Sequence, residues 1–218
     1  MKKMYKLVIF DMDGTLLNGR TIFKIAEEKG FMDKLVEIMN SRKEAYKKSI
    51  AIAKLLKCMT EKEFLKMFRE IPLNKNAEIV VERLREKGIK TAIITDSYHI
   101  AALDLKKRLS IDYAFSNELV MKDEHITGEI ILNNKNPVKK FEGCRQHSIC
   151  KKEVMKNLCM KLNIEKGETV AVGDSVGDAC MLKEAGLGIA FNGSNEIKEV
   201  ADVCINDLIE ILKYIDSV

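Results

Sequence analysis

The chain has 218 residues, 46% apolar and 32% charged, enough to bury one substantial core with an appendage and too many for a peptide-sized scaffold. Its 37 Lys and Arg against 33 Asp and Glu leave a net charge of +4, scattered without a tail or stripe, so nucleic acid is not the expected partner. Six irregularly spaced cysteines, a Met1-Lys2-Lys3 start running straight into strand-like residues, and no apolar run near ~18 residues suggest a reduced, soluble, cytoplasmic protein without a membrane span.

The absence of Trp, together with eight Phe and five Tyr among long Lys/Glu-rich stretches of helical periodicity, weakens an all-β fold. Leu7-Val8-Ile9-Phe10 opens the chain as a short buried strand. Residues 17–75 then hold no convincing strand. Ile22/Ile25/Ala26, Leu35/Ile38/Met39, Ile52/Leu55/Leu56 and Phe64/Leu65/Phe68 recur at helical spacing, and Ile71-Pro72-Leu73-Asn74 closes the block. The interval is too long for a simple crossover, so it is expected to be an inserted helical cap on two linkers that could hinge. Its methionines, Met32, Met39, Met59 and Met67, suit cap packing and an adaptable pocket wall.

Beyond the cap, helices are expected over 77–87, 98–109, 151–163 and 179–185, with a closing helix from Asp207. They alternate with strands at 91–94, 169–172 and 188–191, and alternating apolar positions near 119–131 read as a small β-hairpin. The implied architecture is α/β: a Rossmann-like three-layer core with a mainly parallel sheet, formed by residues 1–16 and 76–218, plus the α-helical cap of 17–75.

The strongest local signal is Phe10-Asp11-Met12-Asp13-Gly14-Thr15-Leu16, at the carboxyl end of the first strand, where doubly wound sheets bind ligands. A metal there would take an oxygen of Asp11 and the backbone carbonyl of Asp13, leaving the Asp13 side chain free. Val172-Gly173-Asp174-Ser175-Val176-Gly177-Asp178 follows another buried strand. If the two strands are neighbours, Asp174 meets Asp11, and like charges so close call for a hard divalent cation with oxygen ligands, which magnesium fits best. A metal among carboxylates suggests a phosphoryl substrate. Thr95, at the end of a strand, offers a hydroxyl, Asp96 a backbone N–H, and Lys151, opening a helix, an ammonium.

These residues resemble the haloacid dehalogenase (HAD) superfamily of phosphatases, and in particular its phosphoserine phosphatase-like branch, over nearly the whole chain. The likeness rests on Asp11-Met12-Asp13-Gly14-Thr15, Thr95, Lys151, Gly173-Asp174 with Asp178, the stretch Met181 to Asn192, and Ile126-Thr127-Gly128-Glu129. The neighbouring Lys152 competes with Lys151, but the spacing back from Asp174 favours Lys151. The resemblance implies a magnesium-dependent phosphomonoester hydrolase acting on a small phosphorylated metabolite. Asp11 would be the nucleophile that forms an aspartyl-phosphate, and Asp13 the acid and then base. Thr95, Lys151 and N–H groups at Met12, Asp13 and Asp96 would stabilise the transferring group, with Asp178 supporting the metal's ligands or waters. Where that branch carries a Glu for a substrate ammonium, this chain has Arg20, and its carboxylate-binding arginine falls near Ile50, with Arg42, Lys47 and Lys48 close by. The motif residues after Thr95 also depart, as Asp96-Ser97. Phosphatase chemistry with altered specificity is expected, with a phosphotransferase or mutase, or a non-catalytic phosphate-ligand sensor, as alternatives.

Cys144, His147 and Cys150 form a Cys-x2-His-x2-Cys cluster that matches no common zinc module and is read as a reduced loop. Cys58 and Cys204 lie in apolar patterns and are expected in the core, and His99 and His125 have no evident partners.

Overall fold

A computed structural model describes residues 4–139 and 145–216. Strand β1 (Leu7–Phe10) is followed by four helices, α1 (Thr21–Lys29), α2 (Met32–Asn40), α3 (Ala45–Leu55) and α4 (Glu61–Arg69). Then come α5 (Ala77–Glu86), β2 (Lys90–Tyr98), α6 (His99–Leu109), β3 (Tyr113–Lys122), β4 (His125–Ile131) and α7 (Lys151–Leu162). The chain closes with β5 (Thr169–Gly173), α8 (Ala179–Glu184), β6 (Leu187–Phe191), α9 (Asn195–Lys198), β7 (Val203–Ile205) and α10 (Ile211–Asp216).

The strands form one seven-stranded sheet of order β4-β3-β2-β1-β5-β6-β7, in which every pairing is parallel except β3 with β4. Successive side chains of a strand face opposite ways, and both faces of this sheet are covered. Leu7 and Ile9 join Ala92, Ile94, Ala171 and Ala190 beneath α7 and α8. Val8 and Phe10 join Ile93, Val170, Val172 and Ile189 on the other side, with α1, α3, α4, α5 and α6. All four residues of β1 are therefore buried, as a central strand with two dry faces requires.

Two strands exceed their sequence signals. The hairpin expected near 119–131 is the sheet's own edge: β3 begins at Tyr113, runs parallel to β2, and pairs with β4 only from Glu118 onward. Residues 113–116 are half-buried, so they show no clean alternation. At three residues, β7 is too short to leave a periodic pattern.

Of the four helices between β1 and α5, α1, α3 and α4 join the larger apolar cluster, through Ile25, Ala53, Phe64 and Phe68, with Leu56 just past α3. Phe64 meets Tyr98 of β2 edge-on, with ring centroids 6.0 Å apart. Thr60 and Glu63 form a capping box that starts α4. Helix α3 has no side-chain cap; the N–H groups of Ala45 and Tyr46 donate instead to the carbonyls of Arg145 and Gln146, at 3.3 and 3.0 Å. On its other side, Cys58 N–H donates to Ile126 O and Ile126 N–H to Met59 O, both at 2.8 Å, tying the helical block to β4.

Cys58 and Cys204 are exposed, contrary to the expectation of core positions. Cys58 sits in the left-handed region (φ 70°) after α3, which turns its side chain away from the apolar stripe. Cys204 lies on the edge strand β7, between half-buried Val203 and buried Ile205, and points outward. His99, by contrast, has a partner: its Nδ1 accepts the N–H of Leu119 at 3.2 Å. No helix among the described residues is long and apolar enough to cross a membrane.

Candidate active site

Strands β1 and β5 are neighbours, with Phe10 opposite Val172, so the residues just beyond them, Asp11 and Asp174, emerge side by side. Asp11 N–H donates to Val172 O at 2.9 Å, carrying the pairing one residue past β1. One carboxylate oxygen from each of Asp11, Asp174 and Asp178 lies within 4.8 Å of the others, the one such metal-competent group among the described residues.

Two glycines make this approach possible. A Cβ on Gly14 (φ 90°) would stand 2.5 Å from Asp174 Oδ2, and one on Gly173 would stand 2.4 Å from Asp178 Cγ. Asp178 is fully buried at the start of α8; its Oδ2 accepts from Ser175 N–H (3.1 Å) and Ser175 Oγ (3.2 Å).

Lys151 opens α7 and is 6% exposed; its Nζ donates to Asp11 Oδ1 and to Asp178 Oδ1, each at 2.5 Å. Lys152 turns outward and pairs with Glu184 at 2.8 Å. Three clustered carboxylates against the Lys151 ammonium and the half-exposed Arg20 guanidinium leave the cluster with excess negative charge. Burial, and then Asp178, Asp174 and Asp96, push the Asp11 carboxyl well up against the pull of Lys151. Burial alone would lower Lys151, but Asp11, Asp178 and Asp96 raise it, so it stays an ammonium. Asp174 is raised by burial and by Asp178, against Arg20. An all-oxygen donor set with unmet negative charge fits a hard divalent cation.

Asp13 faces the same cavity but is held separately. Its Oδ1 accepts both the N–H (3.0 Å) and the hydroxyl (2.6 Å) of Thr21, at the start of α1. Burial raises its carboxyl to about 6 despite these bonds. Thr21 left no motif-like signal, although a buried Thr opening a helix is a natural partner for an upstream carboxylate. Asn74 is a second residue without a motif signal: its amide donates to the carbonyls of Gly14 (3.2 Å), Thr15 (2.8 Å) and Leu17 (3.1 Å), fixing the loop after β1.

Asp11, Asp13, Arg20, Asp96 and Lys151 line a cavity of about 150 Å³. The helical block adds Ile22, Phe23, Met39, Ser49 and Ile52 to its wall. A larger groove of about 840 Å³ beside α7 is lined by none of Asp11, Asp13, Thr95, Lys151, Asp174 and Asp178, so chemistry rather than size locates the site. Arg20 and Lys151 are the cations on the cavity wall among the described residues. The half-exposed Arg20 guanidinium lies 3.5 Å from Asp174 Oδ2, a pair worth about 0–1 kcal/mol.

Ile50 is exposed and absent from the cavity wall. Lys47 pairs with Glu44 and Lys48 donates to Met39 O, so neither enters. Met12 has a buried side chain, and its carbonyl accepts N–H groups of Thr15, Leu16 and Leu17. Thr95 lies buried beneath the wall, its Oγ1 accepting Ser97 N–H at 3.2 Å. His147 and Cys150 are half-buried and belong to no metal-competent group among the described residues, and Cys144 lies outside those residues.

A parallel-sheet crevice holding a buried carboxylate–lysine pair beside a metal-competent carboxylate cluster is the site of an enzyme of phosphoryl-transfer type. Residues 5–186 match the model of the haloacid dehalogenase-like hydrolases. The chain is 35% identical to the phosphoserine phosphatase of Methanocaldococcus jannaschii, across 99% of this chain and 100% of that protein. It is 30% identical to that of Campylobacter jejuni subsp. doylei, across 97% and 100%. A solved phospho-aspartyl intermediate analogue of phosphoserine phosphatase superposes with a TM-score of 0.83 at 33% identity, covering 98% of this chain and 100% of that one. The chain belongs to the haloacid dehalogenase-like hydrolase family and is a phosphatase.

Proposed function

We propose that the protein hydrolyses a small phosphorylated metabolite through an aspartyl-phosphate on Asp11, residues 1–16 and 76–218 forming the catalytic core and 17–75 a cap over it. The observation that carries this reading is the convergence on Asp11 of Lys151, Asp174 and Asp178, with the proton-holding Asp13 on the same cavity wall. A carboxylate oxygen of Asp11 attacks phosphorus and the phosphorus–ester oxygen bond breaks. The proton of Asp13 passes to the departing alkoxide. Water then attacks the aspartyl-phosphate and gives a proton back to Asp13, releasing inorganic phosphate and restoring the Asp11 carboxylate.

Lys151 orients Asp11 and offsets its charge, and Asp178 holds Lys151 in turn. Thr95 and the backbone N–H groups of Met12, Asp13 and Asp96 are read as donors to the phosphoryl oxygens. Magnesium would be held by Asp11, Asp174 and the Asp13 carbonyl, with Asp178 supporting them, and when bound it would neutralise charge on the transferring group.

For the substrate, the relatives' names make phosphoserine the first candidate, while this chain's own wall argues for a different leaving group. Arg20 opposes an ammonium and suits an anionic or hydroxylated group, set against the apolar Ile22, Phe23, Met39 and Ile52.

The decisive experiment is Asp11→Asn, assayed with an aryl phosphate and magnesium. Turnover should fall by at least ~10³-fold. The thermal midpoint should hold or rise, because one of three crowded carboxylates is neutralised. Substantial residual turnover would overturn the nucleophile. A panel of phosphorylated metabolites tests the Arg20 reading, which fails if phosphoserine is preferred by a wide margin.

A further inference from the structure

Strands β2 and β3 lose register beside the cavity. Ile94 pairs with Phe115, yet the next pair is Tyr98 with Asn117, so four steps along β2 match two along β3. The segment that bulges out, Thr95 to Ser97, is the one that places Asp96 and Ser97 on the cavity wall. A bulge strips backbone groups of their ladder partners, and buried ones must be satisfied by something else.

Asn117 supplies that replacement. It is fully buried, and its Nδ2 donates to Asp96 O at 2.7 Å and to Ser148 Oγ at 2.9 Å, while its Oδ1 accepts Asn133 N–H at 3.1 Å. Both donors and the acceptor of the amide are thus committed, and these partners fix which way it faces. The same Asp96–Ser97 peptide is held at its other end by Ser97 N–H donating to Thr95 Oγ1. Ser148, also buried, meets Ser49 Oγ at 3.1 Å, and Ser49 stands on α3 in the opposite cavity wall.

We propose that Asn117, seconded by Ser148, is a positioning residue for hydrolysis: it holds the bulged Asp96–Ser97 peptide toward Asp11 and ties it to the cavity wall contributed by α3. Neither side chain lines the cavity, so both act through the peptide they hold. The inference rests on the phosphatase reading above, because that reading gives the Asp96 backbone its role at the phosphoryl group. A polar cluster serving stability alone would lower the melting temperature and leave turnover per folded molecule unchanged.

The test is steady-state kinetics of Asn117→Ala, Ser148→Ala, Thr95→Ala and the pairwise combinations with Thr95→Ala, corrected for folded fraction from thermal melts. N117A should lower kcat by about 10- to 100-fold while KM changes little, the scale set by small misplacements of reacting groups. In the T95A background it should cost less than about threefold more, because both substitutions free the same peptide. Should N117A fail to fold, S148A carries the test, with a smaller fall in kcat and the same overlap with T95A. Wild-type kcat in whichever variant folds, or losses that multiply fully with T95A, overturns the inference. Turnover in D11N would be failure of the parent reading; an inactive D11N beside an unimpaired N117A is failure of this inference alone.

Discussion

The cavity has two walls of different character. The sheet side presents Asp11, Asp13, Asp96 and Lys151 from strand and helix ends, and all four are held: Asp11 and Lys151 by their buried pair, Asp13 by Thr21, and Asp96 by its bonded, bulged backbone. The helical side presents Ile22, Phe23, Met39, Ser49 and Ile52, with Arg20 loosely held at its edge. Groups that must meet a reacting phosphorus need fixed geometry, which a parallel sheet supplies; groups that only shape a leaving group can be apolar and adjustable. Changes to the sheet wall should therefore abolish chemistry, and changes to the helical wall should redirect it.

Lys151→Ala gives the largest expected effect. It leaves Asp11 and Asp178 buried without their ammonium, so stability should drop by about 3–5 kcal/mol in urea unfolding. Turnover should fall by about 10³-fold. Near-normal turnover would place the working site elsewhere.

Asp13→Asn should cost about 10²-fold in turnover, by loss of the proposed general acid and base. It should also change the pH response of the metal-free protein. Asp13 keeps its proton up to about pH 6 in the folded chain. In the unfolded chain it does so only below about pH 4. Folding thus takes up a proton between those values, and Asp13 contributes stability that is present below about pH 4 and lost as pH rises through about 6; Asp11 shifts the same way. Urea melts in chelator should show D13N losing stability less over this rise than wild type, and identical profiles would contradict a raised Asp13 carboxyl.

On the helical wall, Arg20→Ala should change aryl phosphate turnover by less than about fivefold, the scale of an exposed pair, while altering the ranking among anionic and cationic substrates. An unaltered ranking would remove Arg20 from specificity. Thr60→Ala, which breaks the α4 capping box, is the smallest: about 1 kcal/mol of stability with unchanged kinetics. A large kinetic effect there would show that the helical wall is as tightly coupled to chemistry as the sheet.

Much of the candidate site was legible because the proposed reacting groups sit immediately after apolar strands, where a short string of residues carries position and chemistry together. Asp11-Met12-Asp13-Gly14 and Gly173-Asp174 are such strings, and the strand neighbourhood that joins them follows from parallel-sheet topology. The supporting residues were not legible. Thr21, Asn74, Asn117 and Ser148 are ordinary polar residues whose roles exist only once distant backbone arrives beside them: Asn74 reaches a loop 57 to 60 residues earlier, and Asn117 meets Ser148 31 residues on. Exposure was misjudged at Cys58 and Cys204 because local apolarity cannot report a left-handed turn or an edge strand.

By itself, then, the sequence determined an alternating strand and helix pattern, a helical block after the first strand, and two acidic strand ends facing a lysine. Periodicity and carboxylate spacing are local properties that survive without a partner. Spacing back from Asp174 already favours Lys151 over Lys152; tertiary structure decided their partners, Asp11 and Asp178 for Lys151 and Glu184 for Lys152. It also decided how β3 serves two pairings, where β2 bulges, and what the substrate meets across the cavity. Those outcomes depend on long-range contacts that no short window of residues contains.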